Sequence, residues 1–365
     1  MEVLAEIFTD VPDPRDETAQ HDLREMLVIA LLASLCGAEH CTEMAEFGRA
    51  KEPFLREFLT LEHGIPSHDT FSRVFGLLEP EAFGAAFRRF TQAFTEAAAV
   101  GAASGVVAID GKSLKRAYQA GQAHMPRMMV TAWAAETRLV LAQNEAPGGN
   151  EVEAALAILK LLSLKGCVVT ADALHCHRKM AGAIRRSGGD YALKLKANQP
   201  ALLADAEAAL AAVARPERAE SEHGAHGRVE WRQAEVVSVR GLAQKHRFPG
   251  LAAVARIETR RDVGGKVSYR RYYVVLSRRF TAAQVLAMVR EHWGIENHLH
   301  WQLDVVFHED LCRSRKDNAP RNLAVIRHIA LNILQAHPKK MSISLKRRRA
   351  GWNNAFLFEL LTHVR

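Results

Sequence analysis

Hydrophobic residues recur at helical spacing through the first quarter of the chain. The run LREMLVIALLASLCGA is apolar nearly all round, which is typical of a buried helix, and CTEMAEFGRAKEPFLREFL is amphipathic. The next segment offers Ser67 as an N-cap before a helical period that Pro80 interrupts. This pattern predicts a small all-α domain over residues 1–97, with a boundary in the small-residue run 96–105.

Short apolar runs replace the helical period after residue 105. VVAID, RMMVTAWAAE and RLVLAQNE predict three strands, the last two joined as a hairpin through Thr137. NEVEAALAILKLLSL predicts a helix with Asn150 as its cap, and GCVVTADA, CHRKMAGAIRRSG and DYALKLKANQ predict a strand, a helix and a strand. The predicted order is therefore β-β-β-α-β-α-β, in an α/β domain over residues 98–337.

A β-rich insertion is predicted at about 200–280, where a polar helix precedes the strand-like runs GRVEWRQAEVVSVR, GLAAVARIETRRD and VSYRRYYVVLSRR. The run TAAQVLAMVREHWGIENHLHWQL then predicts a long helix, with Thr281 as its N-cap and Gln284 completing a capping box. Residues 338–365 are predicted to form a basic C-terminal tail.

The charge is distributed unevenly along the 365 residues, whose net charge is +8. Residues 1–97 carry 18 acidic and 8 basic side chains, whereas residues 313–349 carry eleven basic and one acidic. Such an excess of positive charge indicates a polyanionic partner, nucleic acid above all, although a solvated basic tail remains an alternative. The sequence contains neither a membrane-spanning run nor a signal-peptide core, and its five cysteines form no CxxC pair. We therefore expect a cytoplasmic protein without a disulfide framework.

Three acidic residues stand at positions that need explaining. Asp110 and Asp172 each end a predicted strand, where an aspartate is usually a turn former or a helix cap. In the long helix, Glu296 projects roughly 20° from Val285, in the middle of the apolar stripe. A carboxylate on a buried face is costly unless it is paired or binds a metal. A buried ion pair or a frayed helix end is the alternative.

Taken together, three hard oxygen ligands suit Mg²⁺ or Mn²⁺ better than zinc. Two such ions, about 4 Å apart, stabilise the attacking and the leaving oxygen of an in-line phosphoryl displacement. Basic side chains around an acidic metal cluster would then hold the phosphate backbone.

Several stretches resemble one family along nearly the whole chain. They are AIDGKSLKRA, LKGCVVTADALHCHR, YALKLKANQ, HGRVEWR and HWGIENHLHWQLDVVFHEDLCRSRKDNAPRNLAVIRHIALNIL. They resemble the DDE transposases of bacterial insertion sequences, within the IS-four-like superfamily and its ISAs-type group with the H-repeat-associated proteins. HDLREMLVIALLASLCGA and HGIPSHDTFSRVF are similar to the helical domain associated with that group.

The resemblance implies an RNase H-like catalytic domain with a β-strand insertion, in which Asp110, Asp172 and Glu296 bind two Mg²⁺ or Mn²⁺ ions. It implies strand cleavage at the ends of a mobile element and transesterification into target DNA. The expected partner is double-stranded DNA, both terminal repeats and target, held by a homodimer on paired ends in the nucleoid. No membrane and no small-molecule substrate are expected. A catalytically silent DNA-binding relic is the alternative function.

The predicted DNA contacts are basic side chains around the metal site and in the C-terminal part. They are Lys112, Lys115, Arg116, Lys194, Lys196, His292, Arg313, Arg315, Lys316, Lys346, Arg347, Arg348 and Arg349. The wider superfamily has a tyrosine, an arginine and a lysine around the glutamate, where this chain has Val289, His292 and Leu303. His292, if protonated, would replace part of the arginine's phosphate binding. Solvated strand ends are the alternative for the lysines.

Other chemistries remain open at this point. His292, Glu296 and His300 share one helix face at a spacing that suits zinc, although the HExxH arrangement is absent. Cys176 beside His177 raises the possibility of a thiol nucleophile, but a packed cysteine is expected. Trp293 and Trp301 are expected in the core rather than stacked on a base. Further carboxylates, which rival Glu296 as the third acid, are Asp304, Glu309 and Asp310.

Overall fold

The structure, a computed structural model, describes residues 7–97, 105–115, 117, 127–225 and 228–363. Its N-terminal region is helical, with Leu23–Leu35 (α1), Cys41–Leu55 (α2), His68–Leu77 (α3) and Pro80–Ala97 (α4). The side chains of Asp22 and Ser67 cap α1 and α3 by accepting bonds from backbone N–H groups. The all-α N-terminal region predicted from the apolar period is confirmed.

Nine strands form one mixed sheet in the order β3-β2-β1-β4-β5-β9-β8-β7-β6. Their bounds are Gly105–Leu114 (β1), Arg127–Ala134 (β2), Leu139–Glu145 (β3), Cys167–Ala171 (β4), Asp190–Leu195 (β5), Glu217–Ala225 (β6), Arg228–Ser238 (β7), Ala253–Val263 (β8) and Lys266–Leu276 (β9). Strands β1, β4 and β5 are parallel, and β2 is antiparallel to both β1 and β3. This arrangement is the expected RNase H-like core, with a hairpin through Thr137.

The helices that follow are Glu151–Leu161 (α5), Arg178–Arg186 (α6), Pro200–Ala211 (α7), Leu242–Lys245 (α8), Ala282–His292 (α9), Trp301–Val305 (α10), Ala319–Ala336 (α11), Ile343–Trp352 (α12) and Asn354–Thr362 (α13). A π-helical turn, Ile295–His300, joins α9 to α10. The predicted cap at Asn150 and the capping box of Thr281 with Gln284 are both present. Within the described residues, no helix is long and apolar enough to cross a membrane.

The two faces of the sheet carry different helices. Helices α5 and α6 pack on one face, against apolar side chains such as Val107, Ile109 and Val169. Helix α9 packs on the other face, against Val106 and Val168. Residues that alternate along β1 and β4 therefore face either α5 or α9.

The insertion contains four strands, whereas the sequence analysis expected three. The missed strand, β6, reads ERAESEHGA and has almost no apolar residues, so it lacks the hydrophobic alternation that marks a strand. It is a strand because it pairs with β7 along nine residue pairs. Together the four strands lengthen the core sheet, since β9 pairs with β5.

Helix α11 joins the N-terminal helices to the sheet through two buried asparagines. Asn322 donates to the carbonyls of Phe75 (2.9 Å) and Leu78 (3.0 Å), at the end of α3. Asn332 both donates to the carbonyl of Val140 and accepts from its N–H, each at 2.9 Å. Because β3 is an edge strand, these two bonds satisfy backbone groups that no neighbouring strand pairs.

The C-terminal segment, for which a basic tail was expected, forms α12 and α13. Lys346 is buried and donates to the carbonyls of Leu334 (2.7 Å) and His337 (2.8 Å), at the end of α11. Such a lysine satisfies carbonyls that the helix leaves unpaired.

Arg347 is buried as well. Its guanidinium donates to the carbonyls of Ser34 (3.0 Å), Val306 and Ala38 (3.3 Å), and it lies 4.1 Å from the centre of the Phe307 ring. The prediction that Lys346 and Arg347 contact DNA is therefore wrong, because their donors are engaged inside the protein.

Candidate active site

Asp110 and Asp172 lie side by side at the same edge of the sheet. In the parallel pairing of β1 with β4, Ile109 is opposite Ala171. Asp172 follows the end of β4, whereas Asp110 lies within β1, which continues to Leu114 beyond its predicted end because it pairs there with β2. Because side chains alternate along a strand, both carboxylates point to the face that α9 covers. The carboxyl ends of parallel strands are the usual place for a site in such sheets.

Asp110 is surrounded by negative charge. Burial, followed by the charges of Asp172, Glu296 and Glu151, raises its pKa to about 7, although the N–H of Gly111 donates to Oδ1 at 2.9 Å. His300 is the only ion-pairing side chain near it in the described residues, with Nδ1 3.8 Å from Oδ2. Burial lowers the pKa of His300 to about 4, so this imidazole is neutral near pH 7. These carboxylates repel one another, and a bound cation would relieve the repulsion.

Asp172 faces a lysine. Lys194 Nζ is 3.1 Å from its Oδ1, and His292 Nε2 is 3.9 Å from the same oxygen. Although burial alone would raise the pKa of Asp172, Lys194, His292 and Lys196 hold it below its ordinary value.

His292 does not carry the positive charge that the sequence analysis allowed for it. Its Nδ1 lies 3.0 Å from the Thr170 hydroxyl, and burial lowers its pKa to about 4. The imidazole is therefore neutral near pH 7. Because a neutral imidazole lacks the positive charge of an arginine, the expectation that His292 replaces an arginine at a phosphate group is not supported.

Glu296 lies near Asp110, since its charge contributes to the raised pKa of that carboxyl. However, Glu296 is exposed, so the projection that placed it in a buried apolar stripe is wrong. The reason is the π-helical turn, in which bonds run from i to i+5 and more residues fill each turn than the projection assumed. Ile295 and Leu299 take the buried positions instead.

Gly294 allows this helical segment to lie close to the sheet. A Cβ atom at Gly294 would lie 2.8 Å from Cη2 of Trp133, a buried residue of β2. Since real Cβ contacts are longer than this, any larger residue would push the segment that carries Glu296 away from β2.

The three rival carboxylates are engaged by one buried lysine. Lys112 Nζ lies 2.8 Å from Asp304, 3.1 Å from Glu309 and 3.5 Å from Asp310, and its side chain is 10% exposed. Arg327 is 3.5 Å from Glu309 on the other side. The prediction that Lys112 contacts DNA phosphate is therefore contradicted, because three carboxylates surround its ammonium group.

The other predicted DNA contacts differ in exposure. Lys115, which lies 2.5 Å from Asp310, remains 67% exposed. Arg315 and Arg349 are half-buried, the former donating to the carbonyl of Cys312 and the latter lying over Phe356. The exposed members are Lys196, Arg313, Lys316 and Arg348. Arg116 lies outside the described residues.

A basic groove lies between α3 and the segment before α11. Arg73 and Asp69 of α3 line it together with Arg313, Arg315 and Lys316, around a volume of about 570 Å³. Three of the predicted DNA contacts thus share one surface.

The alternative chemistries receive little support. Burial raises the pKa of the Cys176 thiol to about 12, so this cysteine is packed rather than nucleophilic. His292 and His300 face different aspartates, which does not match one zinc site. Trp293 is half-buried, but Trp301 is 51% exposed, so its expected place in the core is wrong. In the described ranges, no three His, Cys, Asp or Glu side chains are grouped closely enough to hold one metal ion.

Glu151 is a further acid whose charge acts on Asp110 and which was not predicted from the sequence. This residue opens α5, where an acid is ordinarily explained by the helix dipole. The signal that identifies it is topological. Strands β1 and β3 are both antiparallel to β2, so β3 ends, and α5 begins, at the edge where Asp110 lies.

Comparisons with known proteins identify the family of the chain. A family model described as "Transposase DDE domain" matches residues 101–333, and one described as "DDE_Tnp_1-associated" matches residues 5–91. Over 277 residues the chain is 41% identical to "Uncharacterized protein in dhlA 3'region" of Xanthobacter autotrophicus, covering 74% of this chain and 92% of that protein.

Two relatives from Escherichia coli (strain K12) carry more informative names. The chain is 31% identical over 381 residues to "H repeat-associated putative transposase YhhI", covering 98% of this chain and 97% of the relative. It is also 35% identical over 72 residues to "Inactive transposase YbfQ", covering 20% of this chain and 86% of that protein.

Proposed function

The chain belongs to the H-repeat-associated group of DDE transposases, and on that premise we propose that it cuts DNA strands at the ends of a mobile element and joins them to target DNA. The observation that carries the proposal is the placement of Asp110, where the pairing of β1 with β4 ends, beside Asp172, which follows β4, with the charge of Glu296 acting on Asp110. We assign the catalytic carboxylates to these three residues.

Divalent metal ions are general in DDE transposase domains, and carboxylate oxygens are the donors that Mg²⁺ and Mn²⁺ prefer, although the three carboxylates of the described residues are not drawn in around one point. Asp110 is half-buried among other acids, and no lysine or arginine of the described residues pairs with it. We propose that Asp110, Asp172 and Glu296 hold two Mg²⁺ or Mn²⁺ ions. When bound, such ions activate the attacking oxygen and stabilise the leaving oxygen of a phosphodiester.

The protein's own groups orient the site and attract DNA. The N–H of Gly111 fixes one oxygen of Asp110, and the Thr170 hydroxyl fixes the ring of His292. Lys194 places a positive charge beside Asp172, where a phosphate group would approach.

We assign backbone contacts to exposed basic side chains at the site and in the groove beside α3. They are Lys115, Lys196, Arg313 and Lys316, together with the exposed Arg348 on α12. The proposed partners are the terminal repeats and the target duplex, with a homodimer holding paired ends.

A catalytically silent DNA-binding protein is the second candidate, because one relative is named an inactive transposase. The presence of all three carboxylates favours the active enzyme. Both candidates bind DNA, but only the active enzyme cuts it.

The test is a nicking assay on DNA that contains this gene with both flanks. Wild-type protein should nick near the element ends with Mg²⁺ or Mn²⁺, and EDTA should stop it. With Ca²⁺, binding should persist while cleavage is strongly suppressed, since the larger ion coordinates more loosely. Asp172→Asn should bind the DNA without cutting it. Binding without cleavage by the wild type would establish the silent alternative.

A further inference from the structure

The outer half of the inserted sheet, beyond the paired residues Ile257 and Tyr272, differs in charge between its two faces. Ile257 and Tyr272 pack against apolar side chains of α9, so the residues that alternate with them along β8 and β9 lie on the face that α9 covers further in. The basic side chains of this α9 face on the two strands are Arg261, Lys266 and Arg270.

The opposite face of the same outer half carries more acids than bases. Its residues are the ones next to those of the α9 face along each strand, because side chains alternate. Its acids are Glu220, Glu222, Glu258 and Asp262, and its bases are Arg260 and Arg271.

The three basic side chains of the α9 face are not neutralised. In the part of the chain that the structure describes, none of them forms an ion pair, whereas Arg271 on the opposite face lies 2.8 Å from Glu258. Glu230 is opposite Arg261 in the pairing of β7 with β8, but its ion pair is with Arg232, at 3.0 Å. Lys266 and Arg270 are exposed.

These three positive charges also lie close together. Arg261 is opposite Ser268, so Lys266 and Arg270 are its diagonal neighbours on β9. Diagonal neighbours are roughly 7–8 Å apart, within reach of long side chains. Like charges at that spacing repel one another, and a polyanion that lies along the strands would relieve the repulsion.

This basic face is continuous with the candidate active site. Lys194 Nζ lies 3.1 Å from Oδ1 of Asp172 and 5.2 Å from the centre of the Tyr272 ring. Strand β5, which carries Lys194, pairs with β9. The α9 face therefore leads from Asp172 past Tyr272 to Arg270 and Lys266, outward along β9.

We propose that Arg261, Lys266 and Arg270 hold the phosphate backbone of the duplex that leads away from the cut phosphodiester. This inference rests on the proposed function, because it extends the DNA path from the site that cuts. From Tyr272 to Lys266 the strand rises about 20 Å, which matches about six base pairs of duplex. Contacts of this kind position the DNA without reading its sequence.

The experiment compares two double variants of the full chain, each of which removes two arginines from β8 and β9. Arg261→Gln with Arg270→Gln clears the α9 face, and Arg260→Gln with Arg271→Gln, the matched control, clears the opposite face. Binding of DNA that carries the element ends is measured by fluorescence anisotropy in EDTA at several salt concentrations. The first variant should reduce the log–log salt slope by about 1.8 and the control by less than about 0.5, since each phosphate contact contributes about 0.9.

Hydroxyl-radical footprinting locates the lost contacts. The α9-face variant should lose protection over about six base pairs beside the cleavage site, whereas the control should keep the wild-type footprint. Lys266→Gln with Arg270→Gln changes exposed side chains alone and should act like the first variant. This pair decides the matter if Arg261→Gln with Arg270→Gln fails to fold, which circular dichroism would reveal.

The outcomes separate this inference from the proposed function. If wild-type protein binds and cuts the DNA while both faces give the same slope, or while the footprint beside the cleavage site survives in the α9-face variants, the path along β9 is refuted and the proposed function stands. If wild-type protein does not bind DNA that carries the element ends, both are overturned.

Discussion

Lys112 offers the most quantitative test of how the site is held together. This lysine lies two residues after Asp110 and contacts three carboxylates from the segment that follows the Glu296 helix. Lys112→Met keeps the hydrocarbon stem and removes the charge. It leaves Glu309, 2% exposed, among uncompensated acids, and removal of one partner from a buried ion pair costs about 3–5 kcal/mol. We expect the lower end, because Arg327 still pairs with Glu309.

The measurement is urea unfolding followed by circular dichroism, with Lys115→Met as the control. Lys115 is 67% exposed and contacts Asp310 alone, so its loss should cost less than about 1 kcal/mol. If Lys112→Met costs no more than Lys115→Met, the three contacts do not stabilise the fold and the reasoning fails.

The pH dependence of the difference in stability between wild type and Lys112→Met provides a second test. Although burial opposes both effects, the pairing holds the pKa of Glu309 below its ordinary 4.5 and that of Lys112 above its ordinary 10.5. A lowered acid pKa gives stability that is present above the unfolded pKa and lost as pH falls through the folded one. The difference between wild type and Lys112→Met should therefore be constant near neutral pH and shrink below pH 4.5. A difference that persists in strong acid would exclude the ion pairs as its source.

Three further outcomes are expected. Arg347→Ala should lower the free energy of unfolding by about 2–4 kcal/mol, since it leaves buried carbonyls unpaired. Arg348→Ala should change it by less than about 0.5 kcal/mol and should reduce the log–log salt slope of DNA binding by about one. Equal stability of the two variants would contradict the burial of Arg347. Gly294→Ala should reduce DNA cleavage at least tenfold with an unchanged circular dichroism spectrum, because its Cβ atom meets Trp133. Cleavage by this variant at the wild-type rate would contradict the expectation. In EDTA, the stability of wild type relative to Asp110→Asn should fall by up to about 4 kcal/mol as pH rises from 3.8 to about 7, because the pKa of Asp110 is raised in the folded state. A difference that does not change with pH would contradict the raised pKa.

The strands and helices of the core were predictable because each has a clear apolar period. The two aspartates could also be placed, since each follows a run of apolar residues that only a buried strand explains. The same reasoning failed at β6, where pairing with β7 rather than hydrophobicity makes the strand. It failed again at Glu296, because a regular projection cannot foresee a π-helical turn.

Charge along the chain was a weaker guide than apolar pattern. The run KRRR contains two buried side chains, Lys346 and Arg347, whose partners are backbone carbonyls of other elements, at the end of α11 for Lys346 and at the end of α1 for Arg347. Lys112 likewise meets acids almost two hundred residues away. Such pairings depend on tertiary contacts, which composition and spacing do not encode.

A change of metal preference in Asp172→Cys tests most directly the central claim that Asp172 holds a catalytic metal ion. Asp172→Cys replaces a hard oxygen ligand with a softer sulfur, which Mn²⁺ tolerates better than Mg²⁺. On DNA that carries the element ends, we expect the variant to bind normally, to lose cleavage with Mg²⁺ and to recover it in part with Mn²⁺. Cleavage by Asp172→Cys with Mg²⁺ at the wild-type rate would show that Asp172 does not hold the metal, and would contradict the assigned active site.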